Sequence, residues 1–440
     1  MDMGKGIRRA LKLSLALMAV LAAWLAWAMA SAQVEMSESG AHRRLLVPLG
    51  ANRSIALPIY SGTGDGGAIR GFLEGPVVRR APDGSWRARW FCEDRAVSRT
   101  GTGEQLSITC AGRRMRFDLR QPRDVPASAP MPARVAVLSD LEGNAGFLDA
   151  ALPALGITDA RGEWIYGDGH LIILGDAVDR GRDVFAVLWR LHELSLQAQQ
   201  AGGEVHFVLG NHEQYMLRTN GSRAHPEHLY ALRQMGESTD AFDDDTVIGA
   251  WLRRQPVVSR LGTVLFAHGG ISPQAASVSA DPEYFNATMR AYWAAASASA
   301  HPHASALDAV LGPEGLTQFR GYLMAVDGRY PRIGRSDMDA ILDRYRAERI
   351  VVGHTLVDRI SFLHEGRIIA VDVNQPGARS QVLLFEDGQP RVIELAVSRH
   401  LEARPVVRLR DFEPSQAADR ALLAAMLREM RRLSNLPHPY

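Results

Sequence analysis

A chain of 440 residues with 46% hydrophobic residues can bury a sizeable core and, at roughly 150 residues per domain, divide into two or three domains. Its 50 basic and 49 acidic residues leave a formal charge of +1, and the arginines are scattered rather than clustered. Composition therefore argues against a nucleic-acid partner or an acidic membrane surface.

The amino terminus reads as a targeting segment. Lys5, Arg8, Arg9 and Lys12 precede an apolar run from Leu13 to about Met29, and Ala30-Ser31-Ala32 supplies a small-x-small cleavage pattern before Gln33. Residues 1–32 are expected to be a signal peptide, which places the protein in the periplasm or outside the cell. An uncleaved membrane anchor is the alternative, because a run of about 17 apolar residues sits at the lower limit for a span. Cys92 and Cys110 are the two cysteines, and in an oxidising compartment they form a candidate disulfide between neighbouring strands.

Residues 33–124 carry short β-like runs such as Ser85–Cys92 and Glu104–Cys110, and are expected to form a small β-rich domain. The stretch Gln121 to Arg134 holds four prolines, so residues 125–133 read as a linker. A catalytic domain is expected over 134–400, with a helical extension over 401–440.

Within 134–400 a pattern repeats. Val135–Leu138 is a short apolar run ending in Asp140 and Glu142, and Leu171–Leu174 is a second, ending in Gly175, Asp176, Asp179, Arg180 and Gly181. Val205–Leu209 leads into Gly210, Asn211, His212 and Glu213; Thr263–Ala267 leads into His268; and Ile350–Val352 leads into Gly353 and His354. Five buried strands that all end in Asp, Asn, His or Arg predict a layered α/β sheet with its chemistry at the strand ends. Oxygen and imidazole donors of this kind suit two ions such as Mn, Fe or Zn rather than a thiolate site. A two-metal centre activates water and clamps the oxygens of a phosphoryl group in flight.

The motifs GDAVDRG (175–181), GNHE (210–213), AHGGISP (267–273) and VVGHT (351–355), in that order, resemble the phosphoprotein phosphatase family within the calcineurin-like metallophosphoesterases. WLRRQPVV (251–258) and FRGY (319–322) make the chain most similar to the Shewanella-like protein phosphatases. The resemblance implies a layered β-sandwich flanked by helices and a binuclear metal-dependent phosphatase. It implies that Asp140 binds the first metal, that Asp176 bridges both, and that Asn211, His268 and His354 hold the second. Arg180 and Arg320 would neutralise phosphate oxygens, and His212, oriented by Asp179, would protonate the leaving alcohol.

One position departs from the pattern: where the family has Asp-x-His, this chain has Asp140-Leu141-Glu142. Glu142 is expected to ligate the first metal, on the argument that an extended backbone would put it on the same side as Asp140; the alternative is that this longer side chain turns away to hydrogen-bond a neighbouring backbone group and leaves water in the ligand position. His192, His206, His225, His228, His301 and His303 lack such motifs and are read as structural. The expected partner is a phosphorylated protein or a small phosphate ester, with no nucleic acid, and a membrane enters only if the first segment stays uncleaved. Hydrolysis of a nucleotide or dinucleotide polyphosphate, and a non-catalytic metal- or phosphate-binding module, are the alternatives.

Overall fold

The computed structural model describes residues 3–37, 43–50, 53–59, 68–218, 223–294, 304–374, 380–397 and 407–434. The chain forms two compact units, one of residues 1–69 with 404–439 and one centred on 70–403. The division falls near residue 70, ahead of the Pro-rich stretch read as a linker.

In the smaller unit, Gln33–Ser37 pairs antiparallel with Arg43–Gly50 on one side and with Val407–Asp411 on the other. Val34, Leu45, Phe412, Leu422 and Met426 form its core, so the helix Ala417–Ser434 packs here instead of extending the larger unit. No local pattern could announce this pairing, because its strands lie some 370 residues apart in sequence. Met3–Ala30 is one helix, and no helix among the described residues is long and apolar enough to cross a membrane.

The larger unit is built on two sheets. One has the strand order Glu204–Val208, His170–Leu174, Arg134–Leu138, Gln381–Glu386, Gln389–Glu394, with its first three strands parallel. The other runs Ser361–Leu363, Ile368–Ala370, Arg349–Val352, Val264–Phe266, Ser259–Leu261, Ser128–Ala129. Val135, Val137, Ile172, Leu174 and Val208 of the first sheet share one buried cluster with Val264, Phe266, Val351 and Ile369 of the second. A sandwich results, with the helix Val184–Ala201 packed on the outer side of the first sheet. The helix stops where its chemistry says it should, at Gly202 in the left-handed conformation.

The strands Leu73–Arg80, Ser85–Cys92 and Arg95–Thr102, and the hairpin of Gln105–Cys110 with Arg113–Asp118, also belong to this larger unit rather than to a separate β domain. Buried polar contacts hold them there. Trp189 donates its indole N–H to the Pro76 carbonyl at 2.9 Å, His228 meets Glu74 at 2.8 Å, and Arg79 pairs with Glu237 at 2.9 Å. Cys92 and Cys110 are bonded to each other.

Candidate metal centre

All five expected strands form, each followed by its expected Asp, Asn or His, and their loops converge. Asp140 follows Arg134–Leu138, Asp176 follows His170–Leu174, and Asn211 opens a helix after Glu204–Val208. His268 and His354 follow Val264–Phe266 and Arg349–Val352. Convergence requires unusual backbone: Asp140, Glu142, Asp176, Asp179, Arg180 and His354 all have φ between +49° and +67°. Non-glycine residues there cost of order 1–3 kcal/mol each and persist only where surrounding structure fixes them. Gly210 permits a close approach of two of these loops, since a Cβ on it would lie 2.3 Å from Asp176 Oδ1.

Asp176, His268 and His354 each offer a ligand atom within 4.8 Å of the others, and all three are buried. Hydrogen bonds fix which ring atom faces the centre. His268 Nδ1 donates to the Leu174 carbonyl at 2.7 Å, leaving Nε2 3.1 Å from Asp176 Oδ2; His354 Nε2 donates to the Gln318 carbonyl at 3.1 Å, leaving Nδ1 free to ligate. Asp140 lies beside them, with Oδ2 3.4 Å from the His354 amide. Asn211 Oδ1 is buried without a hydrogen-bond partner, and His268 Nε2 faces the Asp176 carboxylate at 3.1 Å. An unpartnered amide oxygen and an inward-facing imidazole nitrogen beside two buried carboxylates are what a divalent cation requires, so these residues fit a metal.

The charge of the centre points the same way. Burial alone would raise the Asp176 carboxyl, but His268 and His212 outweigh it and hold it below the ordinary carboxylate range. Burial opposes protonation of His268, yet the Asp176 and Asp140 carboxylates raise it to about 10. Asp140 is pushed well up, by burial first and then by Asp372. Such crowding of carboxylates calls for positive charge between them.

His212 Nδ1 stands 2.9 Å from Asp179 Oδ2, with both side chains buried, and its Nε2 faces Asp176 Oδ2 at 3.8 Å. Burial works against the imidazolium, and the Asp176 and Asp179 carboxylates overcome it to raise the ring's pKa. Arg320 donates to the His354 carbonyl at 2.5 Å and to Thr355 Oγ1 at 3.3 Å, which places it at the site. Arg180 pairs with Glu142, and its side chain is 43% exposed.

Glu142 differs from its expected geometry. Asp140 and Glu142 both have positive φ, so the strand does not continue between them and the alternation argument does not apply. The buried Glu142 carboxylate turns to Arg180, and burial raises it to about 8 against that arginine's pull. Asn144, in the same loop, caps the next helix by accepting from the Phe147 amide at 2.9 Å.

Two residues of the site were not foreseen. Glu213, fully buried, accepts from the amides of Asp176, Ala177 and Gly210 at 3.0, 2.8 and 2.8 Å, clamping the second loop to the third. Asp372 is buried and near enough to raise both Asp140 and Glu142. The histidines set aside lie elsewhere: His206 faces His170, His228 pairs with Glu74, His225 caps a helix and His192 packs on Trp189 and Trp251. His301 and His303 fall outside the described residues.

Residues 133–358, just over half of the chain, match the calcineurin-like phosphoesterase family model. The chain is 32% identical over 82 residues to Shewanella-like protein phosphatase 2 of Arabidopsis thaliana, covering 19% of this chain and 21% of that protein. It is 30% identical over 141 residues to a symmetrical bis(5'-nucleosyl)-tetraphosphatase of Acidovorax sp., covering 31% and 44%. The chain thus spans less than half the length of these curated relatives. Among solved structures, the cold-active protein-tyrosine phosphatase of a psychrophilic Shewanella superposes with a TM-score of 0.65 at 29% identity, over 73% of this chain and 99% of that one. Strand ends, buried donors and motif order agree with these matches, and the chain belongs to the calcineurin-like phosphoesterase family.

Proposed function

We propose that this protein is an exported metal-dependent phosphatase that hydrolyses phosphate monoesters, with phosphorylated protein side chains as its substrates. The observation that carries the reading is the buried convergence of Asp176, His268 and His354 with the unpartnered Asn211 Oδ1, flanked by Arg320 and the His212–Asp179 pair. Asp140, Asp176, Asn211, His268 and His354 would hold two ions, for which Mn, Fe or Zn suits the donor set. Ions there would supply a water of lowered pKa and positive charge opposite the phosphate oxygens.

The remaining work falls to the protein. Arg320, anchored on the His354 carbonyl, and Arg180, at the exposed rim, present planar guanidinium groups to phosphate oxygens. His212 holds a proton on Nε2 and passes it to the departing alkoxide oxygen, while Asp179 fixes the ring through Nδ1–H. A binding module would have no use for that pair.

Export is supported by the basic and apolar first segment and by the Cys92–Cys110 bond, which suits an oxidising compartment. Amino-terminal sequencing of protein recovered from cell fractions tests it, with Gln33 as the expected first residue.

Similarity to a dinucleotide tetraphosphatase keeps a second reading in view. A hydrolysis panel with added Mn, Fe or Zn, comparing an aryl phosphate, phosphotyrosine and phosphoserine peptides and a dinucleotide polyphosphate, separates the two. Turnover of the monoesters over the dinucleotide is expected. Preference for the dinucleotide overturns the proposal, and no turnover of any substrate overturns both readings.

A further inference from the structure

Tyr215 lies outside the sequence motifs, yet its side chain meets the candidate acid on one side and the loops of the second sheet on the other. It sits on the helix Asn211–Leu217, three residues beyond His212, a spacing that puts both side chains on one helix face. The Tyr215 ring meets the His212 imidazole edge to face, with centroids 5.6 Å apart. Its hydroxyl accepts from Gln318 Nε2 at 2.9 Å. The Arg223 guanidinium stands 5.2 Å from the centre of the same ring, and the Arg223 carbonyl accepts from the Arg180 amide at 3.1 Å. Tyr215 and Gln318 are both half-buried.

Gln318 carries the other set of groups. Its carbonyl accepts from His354 Nε2 at 3.1 Å, and Arg320 follows two residues later. The same segment is seated on the His268 loop, where the Gly269 amide donates to the Leu316 carbonyl at 2.7 Å. A Cβ on Gly269 would lie 2.8 Å from the Gln318 nitrogen, so a glycine next to His268 lets the two backbones close. Gln318 is therefore tied to His268, His354 and Arg320, while Tyr215 is tied to His212 and, through Arg223, to Arg180. In the proposed reaction Arg320 meets phosphate oxygens and His212 meets the leaving oxygen of the same substrate. Their separation has to be held closely, because a displacement of about 1 Å can cost about a hundredfold in rate.

We propose that Tyr215 is a positioning residue, whose bond to Gln318 ties the helix of Asn211 and His212 to the segment that orients His354 and carries Arg320. The ring fixes the His212 imidazole, and the hydroxyl sets its distance from Arg320. A phenylalanine keeps the first contact and loses the second, so one substitution separates the two. The role deepens the phosphatase reading and rests on it for effects on rate, though not for effects on metal affinity.

The experiment compares the full chain with Tyr215→Phe, Gln318→Met and the double variant. In the first arm, competition with a chelator measures binding of Mn alone, with no substrate present. Each single variant is expected to hold at least one ion about tenfold less tightly, because the carbonyl that orients His354 loses its support. In the second arm, at saturating Mn, kcat for an alkyl phosphate is expected to fall about tenfold with KM nearly unchanged, and by less for an aryl phosphate, whose leaving group needs no proton. The double variant is expected to be no worse than either single one, since both substitutions remove the same bond. Natural metal affinity in both single variants overturns the proposal, as do losses that multiply in the double variant or that are equal on alkyl and aryl esters. A lowered urea midpoint with natural metal affinity and leaving-group dependence also overturns it, because the bond is then structural alone. A chain that turns over no ester refutes the phosphatase reading, and the brace then stands or falls on the chelator arm.

Discussion

Acid should destabilise this protein through two histidines that take no part in the candidate centre. His192 is 0% and His206 1% exposed, and burial lowers their imidazoles from 6.5 to about 4 and about 3. For His206 the facing His170 ring, 2.9 Å away, lowers it further. Each folded-state pKa lies below the unfolded value, so between them the unfolded chain binds one more proton per ring. The stability that neutral burial provides is therefore intact above about pH 6.5 and falls as pH drops toward about 4. At 1.36 kcal/mol per pH unit for each ring, two rings contribute a slope of about 2.7 kcal/mol per unit inside that window. That is large against a domain stability of roughly 5–15 kcal/mol. The assay is urea denaturation from about pH 7 to about pH 4.5, comparing the natural chain with His192→Phe/His206→Gln. Carboxylate titrations are common to both proteins, so the difference in slope isolates the rings. Equal slopes would refute the reasoning.

Replacing His212 by Ala should preserve metal content and slow alkyl phosphate hydrolysis about a hundredfold or more, with a smaller loss on aryl esters whose leaving group needs no proton; steady-state kinetics on a leaving-group series checks it, and equal losses across the series count against an acid role. Asn211→Ala should lower metal occupancy, measured by elemental analysis after gel filtration, because it deletes the unpartnered Oδ1 at the centre. Reducing the Cys92–Cys110 bond, which closes a separation of 18 residues, should cost about 3 kcal/mol of unfolding free energy while metal content stays constant, as read from denaturation of the Cys92→Ser/Cys110→Ser chain.

Much of the centre was legible because it is written in local units. A short apolar strand followed at once by Asp, Asn or His encodes both the buried strand and what its end presents, and all five such units hold. Residues that act across the fold were not legible. Glu213 looked like part of a motif, but its task of accepting three amides from two loops exists only once those loops meet. Asp372 approaches Asp140 from more than 200 residues downstream with no motif of its own. The smaller unit escaped for the same reason: the Val407–Asp411 strand carries no mark that its partner is Gln33–Ser37. The Leu73–Arg80 strand was assigned to a separate domain because sequence shows its β pattern but not Glu74 reaching His228.

Glu142 decides how the first loop works. Read as an extended continuation of its strand it becomes a metal ligand, whereas its left-handed backbone directs the carboxylate to Arg180. The two roles predict opposite effects of Glu142→Gln on phosphate. As a ligand, the loss of charge weakens the first metal and with it phosphate affinity. As a partner of Arg180, Glu142 competes with the phosphate for one guanidinium once it ionises above about pH 8, so at that pH its replacement by Gln frees the donor and removes a repelling charge. Arg180 is 43% exposed, so the pair is worth about 1 kcal/mol after solvent screening, or about fivefold in affinity. The expected outcome is unchanged metal stoichiometry and, above about pH 8, inhibition by inorganic phosphate about fivefold tighter. Loss of one metal equivalent with weaker phosphate inhibition returns Glu142 to the ligand set.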